Sequence, residues 1–208
     1  MNIAQRSLEI MSGFLKSYGP SNIKKLLWDK EFSGGKWNFI DNTLGDCVYP
    51  HLATHLHNGS ILDLGCGPGN TANELPGSAY QIYIGVDISE AALDKARKRT
   101  EQNGRAGKNL FVKDDFLSYI PTQRFDVILF RESMYHVPVG KVKTILDRYA
   151  KYLKDGGVFV VRTQGETTKH RTKAMLSIIE SEFGVVEKSR YREPDEATVL
   201  VFRPRRTC

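Results

Sequence analysis

From Ser60 onward the chain alternates short apolar runs with amphipathic stretches. Runs over 60–64, 82–87, 110–113, 125–130 and 158–162 have the length and β-branched content of buried strands, and the segments between them carry apolar residues at helical spacing. This alternation predicts a parallel sheet covered by helices on both faces. Ser89 is placed to cap a helix over 90–103. Val142, Ile145, Leu146, Tyr149 and Leu153 form an apolar stripe expected to end at Gly156-Gly157. After a helix over 172–183, two further strands are expected at 185–191 and 198–202, joined by a link too short for a crossover helix, so they should run antiparallel.

Residues 1–58 read differently. Leu8, Met11, Phe14 and Leu15 recur at helical spacing before Gly19-Pro20 stops the run, and a second short helix covers 23–28. Ser33-Gly34-Gly35 then breaks the pattern ahead of Trp37 and Phe39, an aromatic pair on an expected hinge. The expected division is a helical lid over 1–58 and an α/β core over 59–208, with Trp37 and Phe39 closing over a ligand or anchoring the lid.

Composition sets limits. At 208 residues, 40% hydrophobic and 26% charged, the chain suits one globular domain with an appendage, which excludes disordered and collagen-like classes. Its longest apolar runs are four residues, against the roughly 20 that cross a bilayer. The opening residues lack the apolar stretch of a secretory signal, so a cytoplasmic protein is expected. Cys47, Cys66 and Cys208 form no CxxC pair, and reduced thiols are the default. Half of the +6 net charge comes from Arg203, Arg205 and Arg206, which reads as a basic tail more readily than as a nucleic-acid surface.

The sharpest local signal is Asp63-Leu64-Gly65-Cys66-Gly67-Pro68-Gly69-Asn70, between a predicted strand and a predicted helix. Glycines there allow a sharp turn and close approach of a ligand to the backbone. A dinucleotide fingerprint would require a third glycine at position 70, where Asn70 stands, and Pro68 removes a backbone donor a pyrophosphate would use. The C-terminal edges of the first four strands carry Asp63, Asp87, Asp114 with Asp115, and Glu132. Ligands of open α/β sheets bind at that edge. Clustered carboxylates raise one another's pKa unless cations or donors separate them, so this rim suits a cationic, donor-rich ligand such as S-adenosylmethionine rather than a diphosphate.

From about Trp37 to Phe202 the sequence resembles the class I S-adenosylmethionine-dependent methyltransferases. Their DxGxGxG motif is matched by residues 63–69. The resemblance implies a Rossmann-like, mostly parallel seven-stranded sheet with an antiparallel terminal hairpin. It also implies that Asp63, Gly65, Cys66, Gly67 and Asn70 frame the cofactor, that Asp87 takes the ribose hydroxyls, that Ile88 lies against adenine, and that Asp115, with Asp114 as its neighbouring alternative and Phe116 beside it, meets the adenine amino group. The carbonyl of Arg131 is expected to hold the methionine ammonium.

Beyond the fourth strand, Glu132-Ser133-Met134-Tyr135-His136 offers a carboxylate, a phenol and an imidazole. His136 is the expected base, with Glu132 and Tyr135 positioning the acceptor. His51, His55 and His57 find no completing Cys or acidic ligand in the sequence, so a solvated helix end is expected rather than a metal site. Cys66 reads as a packing residue. The leading function is methyl transfer to a small molecule. The alternatives are an RNA or protein methyltransferase docked by basic charge and a nicotinamide-dependent oxidoreductase. The Asn/Asp-Pro-Pro-Tyr/Phe motif of DNA adenine methylation is absent, replaced by Arg131-Glu132-Ser133-Met134.

Overall fold

Adjacent side chains on a strand point to opposite faces, and the central strands are apolar on both, so both faces need a helical cover. The computed structural model describes residues 3–38, 43–166, 169–192 and 196–205. It contains strands β1 (Gly59–Leu64), β2 (Tyr80–Asp87), β3 (Asn109–Lys113), β4 (Phe125–Arg131), β5 (Leu153–Gln164), β6 (Gly184–Tyr191) and β7 (Ala197–Arg203). They form one sheet in the order β3-β2-β1-β4-β5-β7-β6. Its first four pairings are parallel, and β7 is antiparallel to both β5 and β6. The predicted mixed sheet and terminal hairpin are both present.

On one face, Leu62, Ile128, Phe159 and Val161 pack against Ile145, Leu146 and Tyr149 of α6 (Val142–Ala150) and Met175, Leu176 and Ile179 of α7 (His170–Glu182). On the other, Ile61, Val127, Val158 and Val160 meet Val48, Leu52 and Leu56 of α3 (Val48–Leu56). The helix α5 (Glu90–Gln102) begins as expected, with Ser89 Oγ accepting from the Ala92 N–H at 3.2 Å. A short α4 (Asn70–Glu74) follows the glycine loop.

Two expectations need correction, and a third element differs in what it buries. The stripe on α6 stops at Ala150 rather than at Gly156-Gly157, because those glycines lie within β5, where the register shifts against β4 and Gly156 takes φ of 79°. The segment 48–56, assigned to the leader, is built into the core of the sheet. In α1 (Ile3–Tyr18) the periodicity gives a helix, yet Leu8, Met11 and Phe14 are 60%, 54% and 59% exposed. The face turned toward α2 (Ser21–Ser33) instead buries Lys16, which pairs with Glu31 at 2.5 Å and stands 4.2 Å over the Trp28 ring. A buried cation tolerates that position only because it is paired. Phe39, Arg206 and Cys208 lie outside the described residues. No helix among the described residues is long and apolar enough to cross a membrane.

Candidate active site

The turn after β1 is made by three left-handed glycines, Gly65, Gly67 and Gly69. At Gly65 (φ 82°) a Cβ would stand 2.5 Å from the Cβ of Ser133, whose hydroxyl is tied to the Leu64 carbonyl. Left-handed backbone and a fixed neighbour together exclude any side chain. Gly65→Ala should therefore cost at least about 2 kcal/mol of stability, read as a lower urea midpoint with unchanged slope.

The loop is held against β2 by Asp87. Its carboxylate accepts from the Gly67 N–H at 2.8 Å and the Ser89 N–H at 2.9 Å. Burial pushes Asp87 up to about 6 despite those donors. Asp63, at the end of β1, is likewise raised to about 6 by burial. Its Oδ2 accepts from the Tyr83 hydroxyl at 2.6 Å and the Thr71 side chain also favours the carboxylate, while its buried Oδ1 has no partner within hydrogen-bond distance among the described residues. Asp115 accepts from the Leu117 N–H at 3.0 Å, and Ser21 Oγ and Lys24 Nζ of α2 approach it at 3.3 Å.

Beyond β4 the charges change character. Arg131 pairs with Asp46 at 2.8 Å and donates to the Tyr49 hydroxyl at 3.2 Å. Arg162 of β5 bridges Asp46 at 3.4 Å and Glu132. Glu132 adopts φ of 53°, a backbone state that costs a non-glycine residue about 1–3 kcal/mol and marks functional positions. Burial raises the Glu132 carboxyl, opposed by Arg162, and raises the Tyr135 phenol, which shares a hydrogen bond with Glu132. His136 sits edge-on to Trp28 with ring centroids 5.1 Å apart. Burial, reinforced by Lys16 and Arg171, lowers it to about 4.

These residues share one cavity of about 710 Å3. Trp37, Asp63, Gly65, Cys66, Gly67 and Asn70 line it, as do Asp87, Ile88, Asp115 and Phe116; Arg131, Glu132, Tyr135 and His136 close the other side. Asp114 is not among the described residues lining it; its Oδ1 accepts from the Asp115 N–H at 2.7 Å instead. The side chain of Asn70 is committed to bonds with Thr43 at 2.9 Å and Arg99 at 2.8 Å, so it braces the loop. Trp37 donates to Glu31 at 3.0 Å and forms part of the α2 roof. Cys66 is buried against Gly85, and burial keeps its thiol protonated.

Sequence reasoning missed Lys16, Trp28, Asp46, Arg162 and Tyr191 on these walls. Arg162 had a signal, a charge closing an apolar strand. The others had none that a local pattern could show. Among the described residues no group of His, Cys, Asp and Glu forms a metal site, and His51 is buried rather than solvated.

Residues 36–195 match a family described as a methyltransferase domain. The chain belongs to that family. It is 27% identical over 139 residues to sterol 24-C-methyltransferase erg6 of Aspergillus fumigatus, covering 62% of this chain and 36% of that protein. It is 30% identical over 156 residues to the mRNA cap guanine-N(7) methyltransferase of Schizosaccharomyces pombe, covering 71% and 43%. The chain thus spans less than half the length of these curated relatives. Among solved structures it is similar to the N-methyltransferase NodS from Bradyrhizobium japonicum WM9 in complex with S-adenosyl-L-homocysteine (TM-score 0.67, 20% identity, 82% and 92% coverage). It is also similar to magnesium protoporphyrin IX methyltransferase from Synechocystis PCC 6803 with bound S-adenosylmethionine (TM-score 0.64, 16% identity, 98% and 100% coverage).

Family and fold are thus those of class I S-adenosylmethionine-dependent methyltransferases. The residues present fit that cofactor. A buried carboxylate oxygen on Asp63 lacks a partner, as a site awaiting a donor would, and the glycine loop leaves room that side chains would fill. Two buried acids raised to about 6 gain from a cationic neighbour.

Proposed function

We propose that this protein transfers a methyl group from S-adenosylmethionine to a small-molecule acceptor. The observation that carries the reading is one cavity with two chemically distinct halves: an acid-lined half over β1, β2 and β3, and a second half over β4, β5 and β6 walled by Glu132, Arg162 and Tyr191. The Arg131 carbonyl and Asp63 would hold the ammonium and Asp87 the ribose hydroxyls, with Ile88, Asp115 and Phe116 around the adenine. The cofactor supplies an electrophilic methyl group. The protein's part is to align the acceptor's lone pair with it and exclude water.

The helices α1 and α2 form the roof, with Lys16, Lys24 and Trp28 lining the cavity. We assign the lid to these two helices, ending before α3. Glu132 and Tyr135 position the acceptor. His136, neutral and a poor proton acceptor at about 4, serves as a wall beside Trp28 rather than as the base. The relatives are named for a sterol carbon and a guanine nitrogen, so membership of the family leaves the acceptor atom open.

Thermal melting tests the reading against a nicotinamide-dependent oxidoreductase. S-Adenosylhomocysteine should raise the midpoint by several degrees at concentrations well above its Kd, and NAD should not. A shift with NAD alone would overturn the assignment.

A further inference from the structure

Tyr191, the last residue of β6, lines the same cavity from the side remote from the glycine loop. Gln164, Ala197 and Tyr191 occupy one row across β5, β7 and β6, which brings the phenol to the C-terminal end of β5. Its hydroxyl is 2.8 Å from Nε2 of His51, 140 residues away in sequence. Nδ1 of the same ring is 3.1 Å from Oε2 of Glu187. Both nitrogens of this buried imidazole are therefore engaged, one by a carboxylate and one by a phenol facing the cavity.

The direction of the chain follows from the carboxylate. Burial pushes Glu187 up, but hydrogen bonds from His51 and Ser189 outweigh it and hold the group below its ordinary value. An ionised carboxylate only accepts, so Nδ1 carries the hydrogen, and in the neutral ring Nε2 then holds the lone pair that accepts from the Tyr191 hydroxyl. Tyr191 itself is raised by burial and by the nearby Cys47 and Glu187, so it stays protonated and cannot act as a standing phenolate. The other groups near this path are His55 on α3 and Arg203 on β7; burial, and after it the Arg203 charge, disfavours a proton on His55.

We propose that Tyr191 is the catalytic proton acceptor, with His51 and Glu187 as positioning residues behind it, and that the acceptor is a neutral molecule methylated at an O–H or N–H group. This rests on the methyl-transfer reading above. The acceptor's O–H or N–H bond breaks as its proton passes to the Tyr191 oxygen, and the original Tyr191 proton passes to Nε2 of His51. The imidazolium so formed is balanced by Glu187. The electron pair left on the acceptor becomes the new bond to carbon, and the carbon–sulfur pair returns to sulfur.

The test uses three proteins (wild type, Tyr191→Phe and Glu187→Gln) and two probes. At about pH 6, where it is mostly un-ionised, 4-nitrophenol carries a proton to lose, and iodide carries none. Tyr191→Phe should lower kcat on 4-nitrophenol about 100-fold, far more than it lowers iodide turnover, with S-adenosylhomocysteine affinity within about twofold of wild type. Glu187→Gln should lower kcat on 4-nitrophenol without raising KM. Independently of turnover, the S-adenosylhomocysteine complex of wild type should raise the ionised fraction of bound 4-nitrophenol, read by absorbance, and Tyr191→Phe should abolish that rise. Equal losses on both probes, no loss on either, or no methylation of 4-nitrophenol by a wild type that binds S-adenosylhomocysteine would overturn the relay and leave the donor site standing. Failure of wild type to bind S-adenosylhomocysteine would instead overturn the methyl-transfer reading.

Discussion

Asp87→Ala should weaken S-adenosylhomocysteine binding by about 100-fold or more in calorimetry while the protein remains folded. The carboxylate accepts from the Gly67, Ser89 and Ile88 N–H groups and keeps acceptor capacity on its outer face for ligand hydroxyls. Hydrogen bonds to a charged group contribute about 1.5–3 kcal/mol each, and two of them correspond to at least a hundredfold in Kd. The same truncation frees those N–H groups, so some of the loss will come from a slackened glycine loop. Asp87→Asn separates the effects, because it keeps the shape but removes the charge. Affinity unchanged in both variants would rule out the ribose assignment.

Cofactor affinity should also fall by about 100-fold between pH 7 and pH 5. Asp63 and Asp87 both stand at about 6 in the ligand-free fold, raised by burial from 3.8. At pH 5 each is only about one-tenth ionised, and a ligand that needs both carboxylates loses about tenfold for each. On the stability of the ligand-free protein these two groups act in the opposite sense. Between about pH 4 and pH 6 the folded state holds protons that the unfolded chain has released, so these two groups make stability fall as pH rises across that window. Calorimetry at constant ionic strength reads the first slope, and urea melts of wild type compared with Asp87→Asn isolate the second, because the lowered His136 and Glu166 change whole-protein stability with pH in the opposite sense. Asp87→Asn should roughly halve the logarithmic change in affinity, and its stability should fall less, or rise more, from pH 4 to pH 6 than that of wild type. A flat affinity from pH 7 to pH 5 would mean that the acids do not hold the ligand in ionised form.

The glycine loop and the acids on the cavity wall were legible because they are local. The sequence 63–69 contains both the acid that ends β1 and the glycines that must turn left-handed, and Asp87 follows from the length of β2. Asp115 was paired with Asp114 because two adjacent acids end one strand, and only the wall of the cavity separates them. Trp28 and Lys16 were hidden for a different reason. Amphipathic spacing gives a helix but not its neighbour, and on α1 the apolar stripe is exposed while a paired lysine is buried.

His51 shows the limit most plainly. Read along the chain it belongs to a histidine-rich helix end, yet it is held between Glu187 and Tyr191 on the outermost strand.

The amino-acid sequence by itself determined the order of strands and helices, the glycine turn, and the acids at the strand ends. Side-chain periodicity and backbone sterics act over a few residues, and the parallel βα repeat then puts every strand's C-terminal end on one edge. Only the tertiary structure decided which polar groups meet across that edge. The Asp46–Arg131–Arg162–Glu132 network and the Glu187–His51–Tyr191 chain join residues distant in sequence. Their meeting depends on α3 docking against the sheet and on β7 inserting between β5 and β6, outcomes of packing the whole core.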